Sequence, residues 1–199
     1  MKLGYVFKRA FDYGLAAGGV VACAPALALI AVAIKLDSPG SVIYRQERLG
    51  RRGRPFKLLK FRTMRDAPIR YNPDGSTRID PHDDRVTRVG RYLRGALDEL
   101  PQLFNILRGE MSLVGPRPDM VSQRALYSDD DERKLQALPG ITSLAVVSGR
   151  NDIPWKQRNQ IDARYIERWT LWLDARIVAQ TLLMPLGVRP FRFRDVLES

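Results

Sequence analysis

The longest apolar stretch of the chain covers residues 13–34, where 22 successive residues carry no charge. A helix of that length is long enough to cross the hydrocarbon core of a bilayer. Pro25 stands near the middle, where it removes a backbone donor and bends a helix, and Gly18 and Gly19 add flexibility nearby. Basic residues flank both ends, and such flanks prefer the cytoplasm. A broken helix that dips into one leaflet and returns satisfies both flanks, although a single bent crossing fits the apolar pattern equally well.

A cleaved signal peptide is a third interpretation, because Lys8 and Arg9 precede the stretch. The stretch is long for the apolar part of a signal, however, and residues 35–37 (KLD) follow it in place of a small-residue cleavage site. Cys23 inside the stretch is the only cysteine of the chain, so it has no internal disulfide partner, and a reducing compartment fits.

Downstream, the pattern predicts a small mixed domain. Residues 40–64 are typical of a short β element with glycines in its charged turn. The polar residues 66–85 predict a loop or an active-site flap, and because His82 is the only histidine, no second one exists to build a zinc site. Residues 139–151 alternate like a strand followed by a glycine turn.

Helical periodicity recurs in the second half of the chain. It predicts helices over residues 88–97, about 98–109, 128–138 and about 157–184. The last of them has two apolar sides, with Trp169 and Trp172 on one of them. This pattern is consistent with a helix that contacts the core on one side and a membrane interface on the other. It is equally consistent with an ordinary buried helix.

Charge narrows the classes of partner. The net charge is +11, and residues 1–65 carry thirteen Lys and Arg against three Asp and Glu. A basic block of this kind favours an anionic partner: lipid headgroups, nucleic acid or a phosphorylated substrate. The uncharged stretch argues against a soluble nucleic-acid-binding protein, which has no use for it. With 45% hydrophobic residues, the composition also excludes a disordered chain.

The candidate chemistry centres on the adjacent carboxylates Asp98 and Glu99, which stand just before Pro101. Proline is favoured in the first turn of a helix, so a helix is predicted to begin near Asp98. In the simplest interpretation, Asp98 is the N-cap and Glu99 interacts favourably with the helix dipole. The same place can serve catalysis, because free N–H groups there attract phosphate oxygens and the dipole keeps a carboxylate ionised. Adjacent helical residues point roughly 100° apart, so one carboxylate would attack while the other holds a divalent ion.

Basic side chains are candidates for phosphate binding beside this pair. Arg117 lies between Pro116 and Pro118, which restrict the loop and fix the direction of its guanidinium; a surface arginine in a rigid turn is the alternative. Further candidates, which could equally be solvated or lipid-facing, are Lys57, Lys60, Arg62, Arg94 and Arg150.

Four motifs are specific when taken together. They are KFRTM at 60–64, LDELPQLFNILRGEMSLVGPRP at 97–118, PGIT at 139–142 and GRN at 149–151. In this order, over nearly the whole chain, they resemble the bacterial sugar transferases, the monotopic phosphoglycosyl transferases that act on polyprenyl phosphate.

The resemblance implies an α+β fold on the cytosolic face of the bacterial inner membrane. A re-entrant membrane helix over residues 1–39, broken at Ala24 and Pro25, would anchor a cytosolic catalytic domain over residues 40–199. That domain would be mainly helical, with a short β element and interfacial amphipathic helices. The apolar terminal helix could also pair with a second copy in a homodimer.

The resemblance also implies a two-step reaction. Asp98 matches the family's nucleophile, which attacks the β-phosphate of a UDP-sugar and releases UMP; polyprenyl phosphate then attacks the phosphosugar-aspartyl intermediate. Glu99 matches the residue that binds Mg²⁺. The implied partners are the UDP-sugar donor, polyprenyl (undecaprenyl) phosphate and membrane lipids, without nucleic acid. The reaction would start the synthesis of a surface polysaccharide or glycoconjugate.

One departure from the family pattern bears on the donor side. The family commonly has PGITGWAQVNGRN, and the residues that replace its Gly, Trp, Gln and Asn are Ser143, Leu144, Val146 and Ser148. These changes affect the donor pocket or its support, and with it the sugar preference. A membrane scaffold that binds donor without turnover is therefore the alternative to an enzyme.

Two smaller departures concern the helix break and one arginine. Ala24-Pro25 stands where Ser-Pro is usual, so a hydroxyl that could satisfy freed carbonyls is missing. The segment ahead of Asp98 is one residue shorter than usual, so Arg94 is expected to point differently from its family counterpart.

Overall fold

The computed structural model describes residues 2–65, 72, 83–149 and 152–184, so the loop or flap predicted over 66–85, with His82, falls mostly outside it. The helices are α1 (Lys2–Asp37), α2 (Arg88–Leu93), α3 (Gln102–Leu107), α4 (Asp129–Arg133), α5 (Leu144–Val147), α6 (Trp155–Glu167) and α7 (Leu171–Leu183). The strands are β1 (Ile43–Leu49), β2 (Pro55–Phe61), β3 (Ser112–Val114) and β4 (Gly140–Thr142). Short 3₁₀ turns lie at Arg51–Gly53, Leu97–Glu99, Val121–Leu126 and Lys134–Gln136. This mixture of helices and short strands confirms the predicted α+β class.

Helix α1 is 36 residues long, and its span Gly4–Asp37 is long and apolar enough to cross a membrane. Ala24 and Pro25, where a break was predicted, lie within continuous helical backbone. A proline removes one hydrogen bond and bends a helix without having to end it, because neighbouring residues keep their own bonds. The whole apolar stretch is therefore helical.

The first half of α1 is fastened to the domain by buried polar side chains. Lys8 donates to the carbonyl oxygen of Val114 (2.9 Å) and to the carboxylate of Asp174 on α7 (2.5 Å). Asp12 accepts from the hydroxyl of Ser112 (2.7 Å) and from the amide of the following residue (3.1 Å). Since a buried charge is costly unless it is paired, these contacts fix α1 against β3 and α7.

The second half of α1 packs mainly through apolar contacts. Ile34 is buried against Phe61 of β2, and Asp37 accepts a hydrogen bond from an amide of α2 at 3.0 Å. Between the two halves, Val21 and Leu29 are 75% and 72% exposed. Both ends of α1 thus contact the same domain, whereas the apolar middle of the helix is largely uncovered.

The β element predicted at residues 40–64 is confirmed as an antiparallel hairpin. Strands β1 and β2 pair with Ile43 opposite Phe61. The turn between them places Arg52 in the left-handed region (φ +61°), which residues other than glycine seldom adopt. The second pairing is parallel, between β3 and β4, and β3 leads directly into the GPRP loop at 115–118.

Two predicted helices have different boundaries. The helix predicted over 88–97 ends at Leu93, because Arg94 adopts extended backbone (ψ 134°) and Gly95 adopts the left-handed region (φ +109°). The helix predicted over 157–184 is two helices. Thr170 adopts extended backbone and caps α7, because its hydroxyl accepts a hydrogen bond from the amide of Leu173 in the first turn.

The strand predicted over 139–151 is wrong beyond β4. Ser143 accepts a hydrogen bond from the amide three residues on and so begins α5 as its N-cap. The helix predicted over 128–138 is confirmed in α4, which Ser128 caps, and it continues as a 3₁₀ turn.

Helix α7 has one covered and one uncovered apolar side. Trp169, which the pattern placed on the same side as Trp172, instead packs against the core just before α7 begins. The core that it forms with α5, α6 and β3 contains Val114, Val147, Ile161, Tyr165 and Ile177. On the uncovered side, Trp172 and Leu182 are exposed. Contact of this side with a membrane stays a prediction.

Replacing Asp12 by alanine should destabilise the protein by about 1–3 kcal/mol, because the amide of Leu113 loses its acceptor and the buried Ser112 hydroxyl keeps only the Val114 carbonyl oxygen. Denaturant unfolding of the detergent-solubilised full chain measures the change. The matched control is Asp130→Ala, which removes a carboxylate whose side chain is 70% exposed and should cost less than about 0.5 kcal/mol. Equal losses in the two variants would contradict the anchoring role of Asp12.

Candidate active site

The two predicted carboxylates lie in the 3₁₀ turn Leu97–Glu99, between α2 and α3. Asp98 does not cap a helix, since its Oδ1 accepts from the amide of the preceding Gly95 at 3.2 Å. Helix α3 begins only at Gln102, after Pro101, so the predicted helix start near Asp98 and the N-cap interpretation are both wrong. Gly95 adopts the left-handed region (φ +109°) just before this turn, and the carboxylates follow in the 3₁₀ turn Leu97–Glu99.

Glu99 lies between two cationic side chains. Its Oε1 accepts a hydrogen bond from Lys60 Nζ at 2.9 Å and lies 3.7 Å from a guanidinium nitrogen of Arg117. Lys60 comes from β2 and Arg117 from the loop after β3, so two strands deliver the cations to the turn that carries the acids. The structure thus brings together Asp98, Glu99, Lys60 and Arg117.

Burial and charge act in opposite directions on the central groups. Burial raises the pKa of Asp98 above its ordinary value and the Glu99 charge adds to the rise, while Lys60 and the Gly95 amide oppose it. Burial lowers the pKa of Lys60. The positive charge of Arg117 lowers it further, while the negative charges of Asp98 and Glu99 raise it. The cluster is therefore partly buried and dense in charge, a setting typical of titratable groups that take part in chemistry.

The remaining predicted basic residues are placed elsewhere. The Arg62 guanidinium is buried against the end of α1, where it donates to the carbonyl oxygen of Ser38 at 2.8 Å and to that of Pro39. It therefore satisfies carbonyl groups just beyond the helix instead of joining the carboxylate cluster. Arg94 is exposed where α2 ends, and Arg150 lies outside the described residues.

Asp162, which the sequence analysis did not single out, bonds to the backbone of Arg117. Asp162 on α6 is buried. Its carboxylate accepts hydrogen bonds from the backbone amides of Arg117 at 2.8 Å and Ala145 at 3.2 Å. Burial raises the pKa of Asp162, while Lys134 and these hydrogen bonds oppose the rise. The sequence contained an indication of this role. Asp162 directly follows Ile161 in a helix that is apolar on two sides, and a buried carboxylate needs hydrogen-bond partners.

Residues 143–148, which depart from the family pattern, lie mostly in the interior of the domain, near the loop that carries Arg117. Leu144 is 4% exposed and belongs to the core beside β3, and Ser148 donates to the Leu144 carbonyl oxygen at 2.7 Å. Asp162 joins residues 143–148 to Arg117, because its carboxylate accepts a hydrogen bond from a backbone amide of each. The stretch supports the loop, and its effect on a donor pocket stays a prediction.

A magnesium site at the carboxylate pair agrees with the donor set. Within the described ranges, no group of three or more His, Cys, Asp or Glu side chains is placed to enclose a metal ion. Mg²⁺ does not need such a group, because it is usually bound by one or two carboxylates plus substrate phosphates. Asp98 and Glu99 fit that requirement, with Lys60 competing for one oxygen of Glu99.

Comparison with known proteins connects this site to a family. The family model described as bacterial sugar transferase matches residues 3–187. The chain belongs to the bacterial sugar transferase family. The match covers α1, the hairpin and both loops of the site, and it confirms the resemblance drawn from the motifs.

Curated relatives of this sugar transferase cover most of its length. Exopolysaccharide production protein ExoY of Rhizobium meliloti is 41% identical over 193 residues, which are 90% of this chain and 85% of that protein. UDP-glucose:undecaprenyl-phosphate glucose-1-phosphate transferase of Caulobacter vibrioides is 45% identical over 184 residues, 88% of this chain and 68% of that protein. UDP-galactose-lipid carrier transferase of Erwinia amylovora is 40% identical over 188 residues, 88% of this chain and 39% of that protein.

In this sugar transferase, Lys60→Met should raise the pKa of Asp98, because the cation that stabilises the charged carboxylate is lost. The carboxyl ¹³C resonance of Asp98, followed by NMR against pH in detergent, should titrate at higher pH than in the wild type. Lys156→Met, which removes an exposed lysine on α6, should leave the midpoint unchanged. A midpoint that stays or falls in the Lys60 variant would mean that Lys60 does not act on Asp98.

Proposed function

We propose that this sugar transferase moves a sugar-1-phosphate from a UDP-sugar to a polyprenyl phosphate such as undecaprenyl phosphate, with release of UMP. One relative is named for UDP-glucose and undecaprenyl phosphate and another for UDP-galactose and a lipid carrier, which supports the reaction class. The observation that carries the proposal is the position of Asp98 in a partly buried turn with Glu99, Lys60 and Arg117. The reaction would begin the synthesis of a surface polysaccharide or glycoconjugate.

The proposed mechanism has two displacements at one phosphorus atom. In the first, a carboxylate oxygen of Asp98 attacks the phosphorus that carries the sugar, the bond to the bridging oxygen breaks, and UMP leaves with that oxygen and its electron pair. In the second, a phosphate oxygen of polyprenyl phosphate attacks the same phosphorus, and the bond to Asp98 breaks. The carboxylate is regenerated, and the product is a polyprenyl-diphosphate-linked sugar.

The cations of the site would stabilise the charge that gathers on the transferred phosphate. Lys60 and Arg117 lie on either side of Glu99, and a planar guanidinium suits bidentate binding of phosphate oxygens. The donor phosphates would compete with Glu99 for these cations, which leaves the Glu99 carboxylate to hold Mg²⁺. When bound, the ion offsets the negative charge of the diphosphate.

We also propose that α1 dips into the cytosolic leaflet of the inner membrane and returns, with its bend at Ala24 and Pro25. The support is that Asp12, just before the uncharged stretch, and Asp37, just after it, both bond to the same domain. A single crossing would put these residues on opposite sides of the bilayer, where one folded domain cannot contact both. The dip would hold the domain at the level of the headgroups, where the phosphate of a lipid acceptor lies.

The nucleophile assignment predicts that Asp98→Ala lowers UMP release by several orders of magnitude. Purified protein with Mg²⁺, undecaprenyl phosphate and a panel of UDP-sugars should release UMP with at least one donor. Without acceptor, mass spectrometry of the wild type should show one sugar phosphate added to the peptide that contains residue 98. Asp130→Ala, the exposed control, should keep wild-type turnover.

Wild-type turnover in the Asp98 variant, or an adduct on another peptide, would overturn the assignment of the nucleophile. Donor binding by the wild type without UMP release across the whole panel would favour the scaffold over the enzyme.

The dipping helix predicts that both of its ends react from the same side of the membrane. With Cys23 replaced by alanine, single cysteines are introduced at Ala10 or at Leu36, both of which are exposed. An impermeant maleimide should label both variants in sealed inside-out vesicles and neither in right-side-out vesicles. Permeabilised vesicles are the control for reactivity, and labels from opposite sides would rule out the dip.

A further inference from the structure

A second charged feature lies away from the carboxylate pair. A surface cavity of about 390 Å³ opens between the turn of the β1–β2 hairpin and the residues that connect α3 to β3. Its lining includes Arg51, Arg52, Arg54, Phe56, Gly109 and Glu110. Phe56 lies four residues from Lys60 along β2, about 13 Å in an extended strand, so the cavity is separate from the proposed catalytic cluster.

The three arginines of the cavity are held differently. Arg51 is exposed but has protein partners, because it donates to the carbonyl oxygen of Gln136 at 2.9 Å and to the hydroxyl of Tyr5 at 3.0 Å. Arg52 and Arg54 are exposed. Arg52 also has the left-handed backbone noted above, a strained conformation of the kind that clusters at ligand sites.

The cavity favours an anion over a cation. Among the described lining residues the one acid is Glu110, which accepts a hydrogen bond from the side-chain amide of Asn105 at 2.6 Å, so that carboxylate is already engaged inside the domain. Three arginines against this single carboxylate leave a net positive lining. Guanidinium groups suit phosphate oxygens, because their planar donors match the geometry of two oxygens at once.

The position of the cavity points to a membrane lipid as the source of that phosphate. Tyr13 opens the uncharged stretch of α1, and its hydroxyl lies 3.2 Å from the point where a side chain on Gly109 would begin. The Arg9 guanidinium lies over the Tyr13 ring at 4.5 Å, and that of Arg51 over the Tyr5 ring at 5.2 Å. Tyrosine is enriched at the level of the headgroups, so the cavity opens beside the point where α1 would meet them.

We propose that this arginine-lined cavity binds the phosphate of an anionic phospholipid headgroup. The inference rests on the membrane placement of α1 in the proposed function. It favours a headgroup over free phosphate because the cavity adjoins the apolar stretch, and because the cytosolic surface of a membrane is anionic. Bound lipid would hold the hairpin turn against the bilayer and fix the tilt of the domain.

Native mass spectrometry of the full chain, released from mixed micelles with equal phosphatidylglycerol and phosphatidylcholine, tests the proposal. The wild type should retain phosphatidylglycerol preferentially. The double variant Arg52→Asn/Arg54→Gln should lose this retention by about an order of magnitude or more, since each arginine near an anionic surface contributes about fivefold. Asparagine is used at position 52 because it tolerates left-handed backbone. The control Arg91→Gln/Lys156→Gln removes the same charge from exposed positions and should keep the preference.

Equal phosphatidylglycerol retention in the double variant and the wild type, or an equal loss in the control variant, would overturn the proposal. A titration with inorganic phosphate at constant ionic strength separates the two sources, because displacement of the lipid by millimolar phosphate would overturn the headgroup assignment. UMP release in neutral detergent should be the same in the double variant and the wild type. Failure of the lipid site and failure of the transferase reaction are therefore read from different measurements.

Discussion

The buried contacts between α1 and strand β3 are the constraint on which the rest of the site depends. Lys8 and Asp12 satisfy polar groups of β3, and this strand leads directly into the loop that carries Arg117. A buried lysine and a buried aspartate are costly to leave without partners, so the helix and the strand hold each other in register. Helix α1 is thus part of the support of the loop that carries Arg117, the residue for which we propose phosphate binding.

The four charged groups at the site restrain one another. Burial raises the pKa of Asp98 and lowers that of Lys60, and the opposite charges beside each group reduce these shifts without reversing them. Glu99 shares its charge between Lys60 and Arg117, so a change at any one of the four alters the electrostatics of the other three. In the proposed reaction, the donor diphosphate would replace Glu99 as the partner of Lys60 and Arg117.

Local pattern was sufficient for features that depend on neighbouring residues, and insufficient where distant residues decide. The hairpin over 40–64 and the cap at Ser128 follow from turn and cap chemistry. Lys60, 39 residues from Glu99, was one of several basic candidates for a phosphate site, because sequence spacing does not show which of them reaches the carboxylates. The roles of Arg62 and Asp162 escaped prediction because their partners are remote, 45 residues away for Asp162 and the Arg117 amide.

The contact between Lys8 and Asp174 joins residues 166 positions apart, and this has a consequence for biosynthesis. A ribosome releases the amino terminus first, so α1 emerges while α7 has yet to be translated. For most of the time of synthesis, the apolar stretch has no folded domain to lie against. In the proposed membrane placement, the bilayer therefore meets α1 before α7 does, and the contact between Lys8 and Asp174 is one of the last to form.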